Sequence, residues 1–143
     1  MQSVRPKKRR IGRRPILDSK TQTLIPSEYQ ECKAFYYYCQ RILKLGKTIV
    51  KNVNEGIRDT WYTQALLNIG LTPGHLDYQY IVPNDKYSSL WLEMKRIDGR
   101  SKKTDANQDE MIELLNKNGH YACYAYGAEH AIKIYNDYVN NRL

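Results

Sequence analysis

The sequence predicts a mixed α/β domain in which helices flank a central sheet. Segments with helical spacing of apolar residues alternate with short stretches rich in β-branched and aromatic residues. The predicted order is helix, strand, helix, two hairpin strands, helix, strand and helix, without internal repeats. At 143 residues the chain is long enough for one hydrophobic core, so we expect a single folded domain.

Local capping, spacing and turn residues place each element. Ser27 is expected to cap the first helix, after a loop over residues 15–26. Trp61 is expected on the inner face of the second helix. The predicted elements, in chain order, are a helix over 28–46, a strand over 47–53, a helix over 59–68, hairpin strands over 76–82 and 89–95, a helix over 105–118, a strand over 121–126 and a helix over 128–140.

Basic residues are concentrated at the N-terminus. Residues 1–16 carry seven Lys or Arg side chains and no acid, which accounts for all but one unit of the net charge of +8. These residues are Arg5, Lys7, Lys8, Arg9, Arg10, Arg13 and Arg14. Such an arm would neutralise nucleic-acid phosphates, although a localisation signal or a solubilising tail has the same composition. We predict a flexible basic tail over residues 1–20 and a folded domain over residues 21–143.

The cysteines and the hydropathy pattern bear on location. No apolar run is long enough to span a membrane, and no hydrophobic segment follows the basic N-terminus as it would in a signal peptide. Cys32, Cys39 and Cys123 form an odd set without a C-x-x-C pair, so neither a zinc site nor a disulfide framework is expected. We therefore expect a cytoplasmic protein in a reducing compartment.

The predicted hairpin brings two acidic residues together. Its turn is centred near Asp85, so Asp77 lies eight residues before the centre and Glu93 eight residues after it. Antiparallel pairing then sets both carboxylates side by side, and Lys95 points to the same face as Glu93. Neighbouring carboxylates repel each other unless they share a cation. We predict that both acids bind a hard divalent ion such as Mg²⁺, with the main-chain carbonyl of Met94 as a further ligand.

Lys95 and Gln108 complete the predicted site. Lys95 could hold an attacking water, help to deprotonate it and screen the charge of a phosphate. Gln108 shares a face with the apolar residues of its helix, so its buried amide would need partners from the site. Those apolar residues are Met111, Leu114 and Leu115. The alternatives are a capping box between Asp105 and Gln108, and a solvated edge strand for the Glu-x-Lys triplet.

Eight segments between Ser27 and Tyr138 match, in order, the motifs of a known nuclease family. They are Ser27-Glu28-Tyr29-Gln30-Glu31, Asn54-Glu55-Gly56-Ile57-Arg58, the stretch from Ala65 through Gly70 with Pro73-Gly74-His75-Leu76-Asp77, Glu93-Met94-Lys95, Gly99-Arg100-Ser101, Gln108, Gly119-His120 and Tyr126-Gly127-Ala128. With these segments the chain resembles the VRR-NUC family, a branch of the PD-(D/E)XK nuclease superfamily. It departs from the family at Leu76, where the family has proline, and at Glu55, where the family has glycine.

The resemblance implies a restriction-endonuclease-like core and hydrolysis of DNA phosphodiesters. By the resemblance, Asp77 and Glu93 would bind Mg²⁺ or Mn²⁺, Lys95 would be the catalytic lysine, and Gln108 would be the supporting polar group. A glutamate of the opening helix would assist metal binding.

For that glutamate, Glu28 is our choice, and Glu31, one turn further along almost the same face, is the alternative. Arg58 would contact the phosphate backbone.

The resemblance also implies a substrate and a partner. Small stand-alone members of the family, from phages and bacteria, resemble Holliday-junction resolvases and act as homodimers. A four-way junction needs two symmetric incisions, which a two-fold dimer supplies. We therefore expect a homodimeric, structure-selective endonuclease of DNA repair or recombination that acts on branched DNA, with no membrane partner and no small-molecule substrate. The alternatives are a flap or fork nuclease and a non-catalytic basic DNA-binding module.

Overall fold

The architecture is a mixed sheet with helices on both faces. A computed structural model describes residues 14–52, 60–99 and 106–143. The elements in these ranges are β1 (Ile16–Leu17), β2 (Leu24–Ile25), α1 (Glu28–Arg41), β3 (Ile49–Lys51), α2 (Thr60–Asn68), β4 (Tyr78–Tyr80), β5 (Leu90–Lys95), α3 (Ala106–Lys117), β6 (Tyr121–Tyr126) and α4 (Ala128–Val139). From α1 onward this is the predicted order. Within the same ranges, no helix is both long and apolar enough to cross a membrane.

The main sheet has the strand order β3, β4, β5, β6. β4 is antiparallel to both β3 and β5, whereas β5 and β6 run parallel. In the β4–β5 hairpin Tyr78 pairs with Leu92 and Tyr80 pairs with Leu90. This register is symmetric about Asp85, which confirms the predicted centre of the hairpin. One step beyond the last pair, Asp77 and Glu93 stand opposite each other.

Side chains alternate along the strands, so the sheet has two different cores. Leu92 and Met94 of β5 point to one face, where α1 and α4 cover them with Phe35 and Tyr138. Trp91 points to the opposite face. The residues packed with it there are Leu76, Ala122, Met111, Ile112 and Leu115. The last three belong to α3, which therefore covers this second face. Leu114, which we expected to be buried, is 53% exposed, and Ile112 packs in its place.

The first helix begins where its capping residues predict. The Ser27 side chain accepts a hydrogen bond from the Gln30 N–H, and the Gln30 side chain accepts one from the Ser27 N–H, which completes a capping box. The helix ends at Arg41, earlier than the predicted end at Gly46. The chain turns back after Arg41 because Leu43 and Leu45 pack against the core.

Two further expectations were wrong. Residues 15–26, predicted as a loop, contain the β1–β2 hairpin, in which Asp18 accepts hydrogen bonds from the turn through its side chain and its carbonyl. Trp61 is 76% exposed, and no residue of α2 is buried. Helical spacing shows which residues share a face, but it does not show whether another element covers that face.

Candidate active site

Asp77 is held at the point where β4 begins. The preceding Leu76 is fully buried beneath α3 and anchors the segment. Asn52, just after β3, donates its main-chain N–H to the Asp77 carbonyl at 2.7 Å and its side-chain amide to the Leu76 carbonyl at 3.1 Å. The Asp77 carboxylate accepts the N–H of Met94 at 2.8 Å. The aspartate is thus tied to both neighbouring strands.

Glu93, Lys95 and Gln108 form a buried polar cluster. Their exposed fractions are 3%, 8% and 8%. The Lys95 ammonium donates to Oε1 of Glu93 at 3.2 Å and to the amide oxygen of Gln108 at 2.9 Å. The Gln108 amide nitrogen donates to Oε1 of Glu93. Gln108 points inward as predicted, and both ends of its amide are used in this cluster. The alternative capping box involves Asp105, which lies outside the described residues.

The electrostatics of the cluster favour a shared cation. Burial, with the nearby Asp77 carboxylate as the next cause, raises the pKa of Glu93 to about 7. Lys95 opposes this shift in pKa, and the Glu28 carboxylate adds to it. The ionised form of Glu93 therefore carries an energetic cost, chiefly from burial, that Lys95 does not fully offset. A divalent ion would relieve it.

The two glutamates of α1 take different places. Glu31 is buried, and its carboxylate accepts the N–H of Ala128 at 2.8 Å, so it caps the N-terminus of α4. Gly127, with φ of +85°, precedes that helix and lies against the same carboxylate. Glu28 lies close enough to Glu93 to raise its pKa. Glu31 is thus engaged in capping α4, and Glu28 as the assisting acid of a metal site stays a prediction.

Several contacts of the site were not anticipated. Lys51 of β3 forms an ion pair with Asp77. The Lys95 ammonium lies 5.4 Å from the centre of the Tyr124 ring, and the Tyr124 hydroxyl donates to Asp109 of α3 at 2.6 Å. Lys51 and Asp77 are 26 residues apart, and no local pattern links them. The contact could have been predicted from the β3–β4 pairing, because that pairing sets Lys51 opposite Tyr78, the residue next to Asp77.

The remaining predicted residues lie elsewhere. Arg14 is exposed ahead of β1. Arg58 lies outside the described residues, as do the rest of the basic tail residues, which are Arg5, Lys7, Lys8, Arg9, Arg10 and Arg13. Met94 is fully buried and contacts Asp77 through its N–H. Its carbonyl as a metal ligand stays a prediction.

Oxygen atoms are the donors that this site offers to a metal. Burial raises the pKa of the three cysteine thiols to about 12, so they are poor metal ligands at neutral pH. Among the described residues, no three His, Cys, Asp or Glu side chains are grouped closely enough to hold a metal ion. Mg²⁺ needs no such group, because it is commonly bound by one or two carboxylates and retains several waters. Asp77 and Glu93 fit that requirement.

Comparison with known proteins bears on the fold. No protein-family model matches the sequence, and no curated protein matches it. Among solved structures, a chain described as a VRR_NUC domain protein superposes with a TM-score of 0.66 at 22% sequence identity. The match covers 79% of this chain and 88% of the other.

The chain has the VRR_NUC fold. The predicted mixed sheet flanked by helices, with a restriction-endonuclease-like core, is thereby confirmed. In this VRR_NUC fold the candidate cluster lies where β4 begins and β5 ends, between the sheet and α3.

Proposed function

We propose that the chain is a metal-dependent DNA endonuclease of the PD-(D/E)XK type and a member of the VRR-NUC family. The observation that carries the proposal is the meeting of Asp77, Glu93, Lys95 and Gln108 at one point of the sheet. Two of these four residues lie on β5, Asp77 directly precedes β4, and Gln108 belongs to α3. The VRR_NUC fold supports the same conclusion.

The metal ligands in this proposal are oxygen atoms. Asp77 and Glu93 would hold Mg²⁺ or Mn²⁺, with the main-chain carbonyl of Met94 as a further ligand and Glu28 as an assisting acid. The raised pKa of Glu93 supports this assignment, since burial first and the nearby Asp77 carboxylate second make the charged form of Glu93 costly. The chemistry expected from a divalent ion here is polarisation of the phosphoryl oxygen and acidification of water.

Lys95 is proposed to hold the attacking water and to screen the charge of the phosphate. An ammonium has three N–H donors, and two of those on Lys95 are directed to Glu93 and Gln108. These two bonds fix its direction, so that the third donor can meet a phosphate oxygen or the attacking water. The Tyr124 ring borders the ammonium and shields it from solvent on that side. Gln108 positions both Lys95 and Glu93.

The proposed substrate is branched DNA, with a four-way junction as the first choice and a homodimer as the active form. A dimer would place two such sites at a fixed separation, as paired incisions require. In this proposal Arg58 and the basic tail contact the phosphate backbone, and the folded domain spans residues 21–143. The three cysteines are free thiols, which fits a cytoplasmic location and, for a phage protein, the cytoplasm of the bacterial host.

The test is cleavage of a synthetic four-way junction, a flap, a linear duplex and a single strand, each with Mg²⁺, with Mn²⁺ and with EDTA. We expect paired symmetric cuts in the junction that disappear with EDTA. Asp77→Asn should abolish them, whereas Asp85→Asn, in the exposed turn of the hairpin, should cut like the wild type. Cutting only at flaps or forks would support the proposed hydrolysis but would replace the four-way junction as the substrate. Binding of junctions without cutting of any substrate would contradict the proposed enzyme.

A further inference from the structure

Lys51 places an ammonium group against the Asp77 carboxylate from the side opposite to β5. It lies at the end of β3, and its side chain forms an ion pair with Oδ1 of Asp77. The same ammonium lies over the Tyr78 ring, 4.8 Å from its centre. The other oxygen, Oδ2, accepts the N–H of Met94. Both oxygens of Asp77 are therefore engaged in the DNA-free chain.

Lys51 and Lys95 differ in how firmly they are held. The Lys95 side chain is 10% exposed, and two hydrogen bonds fix its ammonium. The Lys51 side chain is 36% exposed, so its ammonium can move away from Asp77 and be hydrated by water. Ion pairs this exposed contribute little to stability. Lys51 is therefore a cation that another cation can displace.

We propose that Lys51 is the resident cation of Asp77 and that a divalent ion displaces it to reach this carboxylate. The inference rests on the proposed function, because it requires Asp77 to be a metal ligand. Until the ion arrives, Lys51 neutralises Asp77 and limits its repulsion of Glu93. Lys51 is thus a positioning residue, and its charge lowers the affinity of the site for the ion.

The test is calorimetric titration of the DNA-free protein with Mn²⁺. Loss of the competing charge in Lys51→Met should tighten Mn²⁺ binding by roughly fivefold, the upper range expected for an exposed ion pair. Lys51→Arg, which keeps the charge, should bind Mn²⁺ like the wild type. Lys20→Met, in the exposed turn between β1 and β2, is the matched control for loss of a distant charge. Thermal unfolding of each variant verifies that it is folded.

The outcomes separate this inference from the proposed function. A gain in Mn²⁺ affinity confined to Lys51→Met supports the inference. A purely structural role for Lys51 predicts that Lys51→Met binds Mn²⁺ more weakly than the wild type. Equal affinity in the wild type and Lys51→Met, or the same gain in Lys20→Met, overturns the inference and leaves the nuclease proposal intact. The Glu93→Gln variant should lose Mn²⁺ binding. Absence of binding in the wild type and Lys51→Met alike overturns both.

Discussion

The main-chain N–H of Met94 donates a 2.8 Å hydrogen bond to Oδ2 of Asp77. This bond joins the residue that precedes β4 to the strand that carries Glu93 and Lys95. It fixes the aspartate beside Glu93 even though Asp77 stands outside the paired part of the hairpin. The geometry of the site therefore depends on the segment that leads into Asp77.

Gly74 in that segment is expected to tolerate no side chain. Its φ is +80°, and a Cβ there would lie 2.6 Å from main-chain atoms of Asn107 at the start of α3. Gly74→Ala should reduce the free energy of unfolding by about 2–3 kcal/mol, through backbone strain and overlap together. It should also reduce DNA cleavage, since the loop carries Asp77 and α3 carries Gln108. Urea denaturation measures the first effect.

Gly70→Ala is the control for strain alone. Gly70 has φ of +104°, and among the described residues no atom beyond its own chain neighbours lies within 4 Å of the position of its Cβ. We expect a loss of only about 1 kcal/mol and normal cleavage. Equal losses of stability in the two variants would show that the contact between Gly74 and Asn107 does not matter.

The local part of the site could be predicted from the sequence. The turn residues around Asp85 determine the hairpin register, and that register determines which residue faces Glu93. The helical period of α3 determines that Gln108 points inward with Met111 and Leu115. Both arguments need only neighbours within one element or one hairpin.

Contacts between distant elements could not be predicted in this way. The pairing of Lys51 with Asp77 depends on β3 lying beside β4, a choice of strand order that no residue in β3 encodes locally. The exposure of Trp61 could not be inferred from its helical spacing, because spacing does not show which face of α2 is buried. The capping contact of Glu31 depends on where α4 begins.

The different proposed roles of Glu31, as the cap of α4, and Glu28, as the assisting acid, give a second prediction. Glu31→Ala should reduce the free energy of unfolding by about 1–2 kcal/mol, because it removes the cap of α4 and leaves the N–H of Ala128 without this acceptor. Glu28→Ala should change stability by less than about 0.5 kcal/mol and should reduce cleavage at limiting metal concentration by roughly tenfold. Chemical denaturation and metal-dependent rates measure the two effects. Reversal of the two phenotypes would make Glu31 the assisting acid.

The raised pKa of Glu93 predicts a dependence of stability on pH in the metal-free protein. The folded chain binds a proton at Glu93 up to about pH 7, whereas the unfolded chain releases it near the ordinary value of 4.5. Because the folded state binds more protons in this window, the free energy of unfolding falls as pH rises through it. The contribution of Glu93 is fully present below about pH 4.5 and lost above about pH 7, on the order of 3 kcal/mol in all.

Glu93→Gln is the comparison that isolates this effect. The amide cannot titrate, so the difference in unfolding free energy between the wild type and the variant should shrink or reverse in favour of the variant as pH rises. Denaturant titrations at several pH values with EDTA present measure it. A difference that is independent of pH would mean that Glu93 titrates normally.

The proposed mechanism requires Lys95 to act in the chemical step. The measurement is single-turnover cleavage of the preferred DNA by Lys95→Met, with DNA affinity measured separately. Lys117→Met is the control, since Lys117 lies on the exposed surface of α3. We predict a loss of roughly 100-fold or more in the rate of cleavage for Lys95→Met, with DNA affinity within about twofold of the wild type. Cleavage by Lys95→Met at the rate of the wild type and of Lys117→Met would contradict the account.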